Sequence, residues 1–388
     1  MRIGIDACTW ANRRGYGRFT QMLVTTMVTE HPQHEFTLVL DHHTAALDDF
    51  PKAAQIEIVK TRQQPTRAAS AYGSRSAADL WRLSRAVSRC DFDVFLFPTS
   101  YSFYPLFCNT PTVVVFHDAI AEQHPNLIFP RLRSRLLWKL KTWLALRRAA
   151  RLVTVSQSAR EELAKIFRRP VSTIDVISEG PAPCFQPVEV TESAATVLRR
   201  YGLPYKVPLI LYVGGISPHK NLERLVRAAK RVKGPWHLAL VGDYSGDSFF
   251  SSYNEVLEVA REIEIVDRLT FTGYVPDTDL VVLHNLATML VIPSLSEGFG
   301  LPVVEAMACG LPVAVSNCGS LPEVIGDAGA LFDPYSEREI ADAIARLLSD
   351  ESLRHQFRRK GLARAKLFSW ESGAREMMSI LGEAAGAG

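Results

Sequence analysis

The sequence predicts an α/β protein of two doubly wound domains, each a parallel sheet covered by helices on both faces. Three observations predict it. A chain of 388 residues with 47% hydrophobic content can bury two cores. Each half carries a series of short, unbroken apolar runs rich in β-formers. Segments of helical period separate those runs, and strands without polar alternation are tolerated only where helices cover both faces of the sheet.

In the first half the strand runs are RIGID (2–6), FTLVL (36–40), IEIV, DVFLF (93–97), TVVVF (112–116) and RLVTV (151–155). The second series is VPLILYV (207–213), WHLALVG (236–242), RLTFTG (268–273), MLVIP (289–293), PVAVS (312–316) and ALF (330–332). Between them, SEGPAPCFQPVEV (178–190) concentrates proline and breaks the periodicity, as a hinge does. The expected organisation is a first domain over 1–180, a linker over 181–206, a second domain over 207–366, and a C-terminal helix and tail over 367–388.

Composition narrows the function. A net charge of +3 is mild, and no basic block alternates with aromatics, so nucleic acid is not an expected partner. The six cysteines are scattered without CxxC or zinc spacing and read as reduced thiols of a cytoplasmic protein. MRIGIDACTW enters a strand at once rather than offering a signal sequence, and no apolar run reaches membrane-span length.

Doubly wound sheets bind ligands beyond the C-terminal ends of their strands, which predicts a ligand cleft between the domains. Two loops of the second half qualify. VGGISPHKN (213–221) offers Gly214 and Gly215 for close backbone approach, then Lys220 just before a helix, where an anion can be met. The plain alternative is a tight turn with a solvated lysine. PSLSEGFGLP (293–302) offers Gly298 and Gly300, and a helix expected from Pro302 whose N-terminus suits phosphate or sugar oxygens. Glu305 is expected in the first turn of that helix and Glu297 ahead of it. A carboxylate suits a vicinal diol such as a ribose. Alternatively, Glu305 only complements the helix dipole.

SEGFGLPVVEAMACGLPVAVS (296–316) resembles the glutamate-x7-glutamate signature of retaining GT-B glycosyltransferases of family 4 (group 1). The resemblance extends in order through RGYGRFT (14–20), FHD (116–118), TVSQSAR (154–160), YVGGISPHKNLERLV (212–226), FTGYV (271–275) and GSLPEVIGDAGALFDP (319–334). It implies two Rossmann-like domains facing across a cleft, with a C-terminal helix returning to the first. It also implies that Glu305 holds the donor ribose and that Glu297 contacts the transferred sugar. Backbone amides of Phe299, Gly300 and Leu301 would surround sugar and diphosphate, and Lys220 would neutralise the leaving group. Tyr274 and Val275 would meet the base, Gly15 and Gly17 would admit the phosphates, and His117 would lie over the sugar.

The implied reaction moves a hexose from a nucleotide diphosphate sugar, the co-substrate, with retention and without metal or other cofactor. SPHKN and NCGSLPEV resemble mannosyltransferases that use GDP-mannose. The acceptor implied is a polysaccharide or lipid-linked saccharide, held by loops such as 41–75 and 99–110. A sugar-nucleotide epimerase on the same fold, or a non-catalytic donor-binding scaffold, are the alternatives. One departure stands out: many members carry an arginine five or six residues before the loop lysine, where this chain has glycines. Ser217 and His219, or Arg13, Arg14 and Arg18 from elsewhere, are the substitutes on offer.

Two DxD tripeptides tempt a metal reading. Asp91 and Asp93 run into a strand, and Asp277 and Asp279 fit a helix N-cap, which leaves too few oxygen ligands for a protein-held ion. RLRSRLLWKLKTWLALRRAAR (131–151) is basic and contains no acid. It is expected to pack a leucine and tryptophan face on the sheet with its arginines outside; peripheral contact with the inner face of a membrane is the alternative.

Overall fold

The computed structural model describes residues 1–12, 15–63, 76–129, 132–189, 193–244 and 251–386. Arg13 and Arg14 and residues 64–75 of the 41–75 loop lie outside them. The chain divides into two compact units. The first holds the described residues through Glu179 and those from Ser369 onward; the second holds those between Gly180 and Phe368.

The first unit is built on a seven-stranded, wholly parallel sheet in the order β3-β2-β1-β4-β5-β6-β7. Its strands are β1 (Arg2–Asp6), β2 (Glu35–Asp41), β3 (Gln55–Val59), β4 (Val94–Phe97), β5 (Thr112–Val115), β6 (Ala149–Thr154) and β7 (Ile174–Val176). The central strands β4 and β5 are buried at every residue, as their unbroken apolar composition requires. The short edge strand β7 has no counterpart among the expected runs, because IDV is three residues with a charge in the middle and gives no apolar run to read.

The second unit carries a six-stranded parallel sheet in the order β10-β9-β8-β11-β12-β13. Here β8 is Leu209–Val213, β9 His237–Val241, β10 Leu269–Gly273, β11 Met289–Ile292, β12 Val313–Ser316 and β13 Ala330–Phe332. In both sheets the chain starts centrally, winds to one edge, then crosses back and winds to the other. That reversal fixes a topological switch point between β1 and β4 and another between β8 and β11.

One connecting segment differs from simple expectation, and the C-terminal helix joins the first unit as expected. Within 181–206 lies a helix, Ser193–Arg200, bound to the helix Asp277–Leu286. Arg200 and the Tyr201 hydroxyl both donate to Asp279, at 2.6 and 2.7 Å. The C-terminal helix Trp370–Gly386 packs on Gly15–Glu30, with the Trp370 ring 5.9 Å from that of Phe19, and buries Trp370, Met377 and Leu381. Gly373 allows this: a Cβ there would stand 2.1 Å from the Ser178 carbonyl oxygen. Next to it, Ser178 N–H donates to Glu376 at 2.7 Å.

The basic helix runs from Leu132 to Arg148 and departs from the expected packing. Only Trp138, Thr142 and Ala145 are buried, and most of its leucines face solvent with Trp143. Pattern alone could not decide this, since the helix is apolar on two faces and only one finds a partner. Among the described residues no helix is long and apolar enough to cross a membrane.

Candidate donor site in the second unit

The two loops singled out by composition follow β8 and β11, the strands that flank the second switch point. After β8, Pro218–Lys220 forms a 3-10 turn whose tightness comes from Lys220 N–H donating to the Ser217 carbonyl at 2.8 Å. Ser217 is buried and its hydroxyl lies 3.3 Å from His219 Nδ1. Asn221 then takes a left-handed backbone, φ 59°, at the start of the helix Leu222–Lys230. Its buried amide donates to the carbonyls of Pro293 and Pro334, at 3.0 and 2.8 Å. With Leu295 N–H donating to the His219 carbonyl at 2.9 Å, the two loops are sewn together by main-chain and amide bonds.

That stitching brings two charges into contact. Lys220 Nζ donates to both carboxylate oxygens of Glu297, at 2.7 and 2.9 Å, and the Ser294 hydroxyl donates to the first of them at 2.6 Å. The side chains are 17% and 15% exposed, so the pair is only partly screened by water. Backbone placement is equally determined. Gly319 has φ 59°, and a Cβ there would lie 2.7 and 2.8 Å from the Glu297 nitrogen and oxygen. Ser320 donates its hydroxyl to the carbonyls of Glu297 and Phe299, at 3.1 and 2.8 Å.

Downstream, Gly300 at φ 102° precedes the helix Leu301–Ala308, with Pro302 as its second residue. A left-handed residue turns the chain into the helix, and proline suits a first turn whose N–H groups have no partner in the helix. Phe299 and Leu301 are buried, Phe299 against the Phe368 ring with centroids 5.5 Å apart, so each presents backbone more than side chain; Gly298 is half-buried beside Glu297. The helix begins at Leu301, so Glu305 lies in its second turn and not, as expected, in the first. There the helix dipole acts weakly, and dipole complementation is a poor reason for a carboxylate that is 2% exposed. Burial, and then the charge of Glu305, push the nearby Cys309 thiol up to about 12.

On the other flank of the sheet, Gly214 and Gly242 touch through their backbones: a Cβ on Gly242 would sit 1.9 Å from the Gly214 oxygen. The Tyr212 hydroxyl donates to the Gly215 carbonyl at 2.7 Å. Both loop glycines are thus consumed in part by internal packing. Tyr274 is exposed beside buried Val275. Before them stand three rings: Tyr244 stacks on Tyr253 at 4.6 Å, and Tyr253 meets Phe271 edge-on at 4.6 Å.

The remaining expected residues sit in the first unit. Gly15 opens the helix Gly15–Glu30 in open space, whereas a Cβ on Gly17 would collide with the Asn12 carbonyl oxygen at 1.9 Å, so this glycine serves the chain's own turn. Arg18 lies half-buried in the same helix. His117 follows β5, and its Nε2 lies 3.0 Å from the Pro98 carbonyl, which can only accept, so Nε2 holds the proton. Nδ1 lies 3.8 Å from Glu179, a fully buried carboxyl whose pKa is raised by that burial. At the first switch point Tyr16 and Tyr101 stack with centroids 5.4 Å apart, one from the region after β1 and one after β4.

Both DxD tripeptides are engaged by neighbouring side chains. Arg2 binds the carboxylates of both Asp91 and Asp93, and among the described residues no three His, Cys, Asp or Glu side chains cluster as a metal site. The expected N-cap role of Asp277 or Asp279 is also corrected. Pro276 occupies the cap position, and Asp279 instead accepts from Arg200 and Tyr201, because it faces the neighbouring helix. Sequence reasoning missed Ser294, Asn221, Gly319, Ser320 and Glu179. Only the glycine in GSLPEV left a readable signal, since a glycine before a helix marks a special turn.

Comparison with known proteins gives the family and the fold. The family model described as Glycosyltransferase Family 4 matches residues 14–180, and that described as Glycosyl transferases group 1 matches 196–364. O-antigen chain mannosyltransferase B of Escherichia coli is 32% identical over 275 residues, 67% of this chain and 67% of that protein. The serotype-specific mannosyltransferase WbdA of Escherichia coli is 31% identical over 276 residues, 69% of this chain and 33% of WbdA, so the match spans about a third of that longer protein. Among solved structures, Anabaena Alr3699/HepE in complex with UDP and glucose superposes with TM-score 0.76 at 17% identity, covering 99% and 100% of the two chains. Sucrose-phosphate synthase from Thermosynechococcus elongatus gives 0.75 at 19%, covering all of both. The shared architecture is GT-B.

Proposed function

The chain belongs to glycosyltransferase family 4, and from that premise we propose that it is a retaining, metal-independent mannosyltransferase using GDP-mannose. The observation that carries this reading is the Lys220–Glu297–Ser294 contact at the switch point of the second sheet. Lys220 has three N–H donors; Glu297 takes two, and the third serves a phosphate oxygen. Its charge then meets the one that develops on the departing diphosphate, the work a divalent cation would otherwise do. Glu297 accepts from hydroxyls of the transferred sugar, and Glu305 from the ribose diol. The bond from the anomeric carbon to the diphosphate oxygen breaks while the acceptor oxygen bonds to the same face. The acceptor's proton passes to the leaving phosphate oxygen. No protein nucleophile is required, so neither glutamate is cast as a covalent carboxylate.

The mannosyltransferase names of the relatives at 31–32% identity support the choice of sugar. The stacked Tyr16 and Tyr101 at the other switch point support a saccharide acceptor, since flat rings suit sugar faces. His117, with its Nε2 proton already donated to Pro98, acts here through ring and shape rather than as an acid.

Thermal unfolding against GDP, UDP and ADP and their sugar conjugates tests the donor. A ligand at 100 times its dissociation constant adds about 2.7 kcal/mol. The expected result is a midpoint shift selective for GDP and GDP-mannose, weakened in Glu305→Ala. A shift selective for UDP or ADP would replace the guanine assignment, and no shift in a folded protein would remove the donor site altogether.

A further inference from the structure

The helix Leu132–Arg148 is anchored on one side. Trp138 packs against the rings of Tyr101 and Phe129, at 5.0 and 5.9 Å, and donates its indole N–H to Glu122 at 2.7 Å. Lys141 lies 4.1 Å over the Trp138 ring and donates to the Tyr101 carbonyl at 3.1 Å. These contacts fix the rotation of the helix about its axis.

The opposite side is the unusual one. Leu132, Leu136, Leu140 and Trp143 recur at helical spacing on one face, with Leu137 beside them, and all five are between 52% and 77% exposed. Isolated exposed leucines need no explanation, but a contiguous stripe of them does. Its charge setting is one-sided: the helix contains Arg133, Arg135, Lys139, Lys141, Arg147 and Arg148 and no acidic residue. Arg147 lies 5.5 Å from the Trp143 ring, at the edge of the stripe.

We infer that this stripe docks the first unit on an anionic lipid surface, with the leucines and Trp143 entering the headgroup boundary and the flanking arginines and lysines meeting lipid phosphates. Charge complementarity selects the occupant. An anionic bilayer supplies apolar depth and diffuse negative charge together, and Trp143 is the residue type that favours such a boundary. The inference goes beyond the donor assignment and adds that the enzyme meets its acceptor at a membrane.

Flotation with vesicles of phosphatidylcholine alone, or of equal parts phosphatidylcholine and phosphatidylglycerol, tests it in the full chain without any sugar nucleotide. Failure here therefore leaves the donor reading untouched. Binding is expected only to the anionic vesicles, weakening as salt rises. Arg133→Gln with Lys139→Gln should weaken it by about 25-fold, from roughly fivefold per charge near the surface. Leu136→Ser with Leu140→Ser should abolish it at an unchanged melting temperature, since both side chains are exposed. Trp fluorescence should shift to the blue on anionic vesicles, and Trp143→Phe should remove most of that shift. Absence of flotation at low salt, equal flotation with neutral vesicles, or serine variants that float normally would each overturn the proposal. A concentration-dependent dimer abolished by the serine pair, with no vesicle binding, would assign the stripe to a second copy and overturn it as well.

Discussion

Each unit sets one glutamate beside one basic side chain in loops that follow its strands, and the two pairs are built in opposite ways. Glu297 accepts three hydrogen bonds of 2.6 to 2.9 Å, two from Lys220 and one from Ser294. Glu179 is sealed from water, and His117 Nδ1 stands 3.8 Å away. The first arrangement meets its carboxylate with donors; the second disfavours charge by excluding water. Only the first is suited to a substrate that brings negative charge of its own, because its lysine can be shared. The second is suited to holding His117 and its loop in place.

Breaking the charged pair should have the largest effect. Lys220→Ala leaves Glu297 with Ser294 as its remaining side-chain donor among the described residues, and should slow sugar transfer by about 10²–10³-fold, as the loss of one transition-state charge partner does. Stability should fall as well, by about 3 kcal/mol, since a partly buried carboxylate then lacks its counter-charge. Single-turnover rates and denaturant unfolding separate the two effects. A rate within tenfold of the parent enzyme would reduce the pair to a structural clasp, like the contact between Glu179 and His117.

A smaller effect is expected from moving the pair without deleting it. Gly319→Ala places a methyl against the Glu297 backbone at a left-handed φ, and should cost about 1–3 kcal/mol and displace the carboxylate. Gly15→Ala is the matched control: among the described residues nothing lies within 4 Å of its new Cβ, so stability should change by less than about 1 kcal/mol. Melting temperatures of the two variants, read beside GDP-induced shifts, show whether the loss follows Glu297 or merely the presence of a Cβ.

The contrast also explains what the sequence made legible. Strands buried on both faces announce themselves, because nothing but continuous apolar residues survives there; β4, β5, β11 and β12 were read on that ground. Lys220 and Glu297 were legible as residues of strand-end loops at helix starts. Their direct contact was not, because it depends on two loops 77 positions apart being tied by Asn221 and Leu295. Ser294 and Ser320 gave no signal, since a serine that supports a carboxylate looks like any loop serine. Glu179 was hidden in a proline-rich segment read only as a hinge. The basic helix misled because composition records which side chains are apolar, not which of its two apolar faces meets a partner.

The gentlest perturbation addresses the sealed pair. Burial raises the Glu179 pKa, with His117 partly opposing it, so the folded protein holds that proton more tightly than the unfolded chain does. Stability from this group is therefore complete below the ordinary carboxylate value and is lost as pH rises through the raised one, about 1.4 kcal/mol for each unit between the two. Glu179→Gln keeps the shape and an acceptor oxygen but removes the titration. Its melting temperature should match the parent at low pH and fall less steeply as pH rises above the carboxylate range, with turnover little changed. Parallel slopes would mean that Glu179 stays ionised beside a protonated His117. The first unit would then hold an ion pair like that of the second, and the two sites would differ in degree rather than in kind.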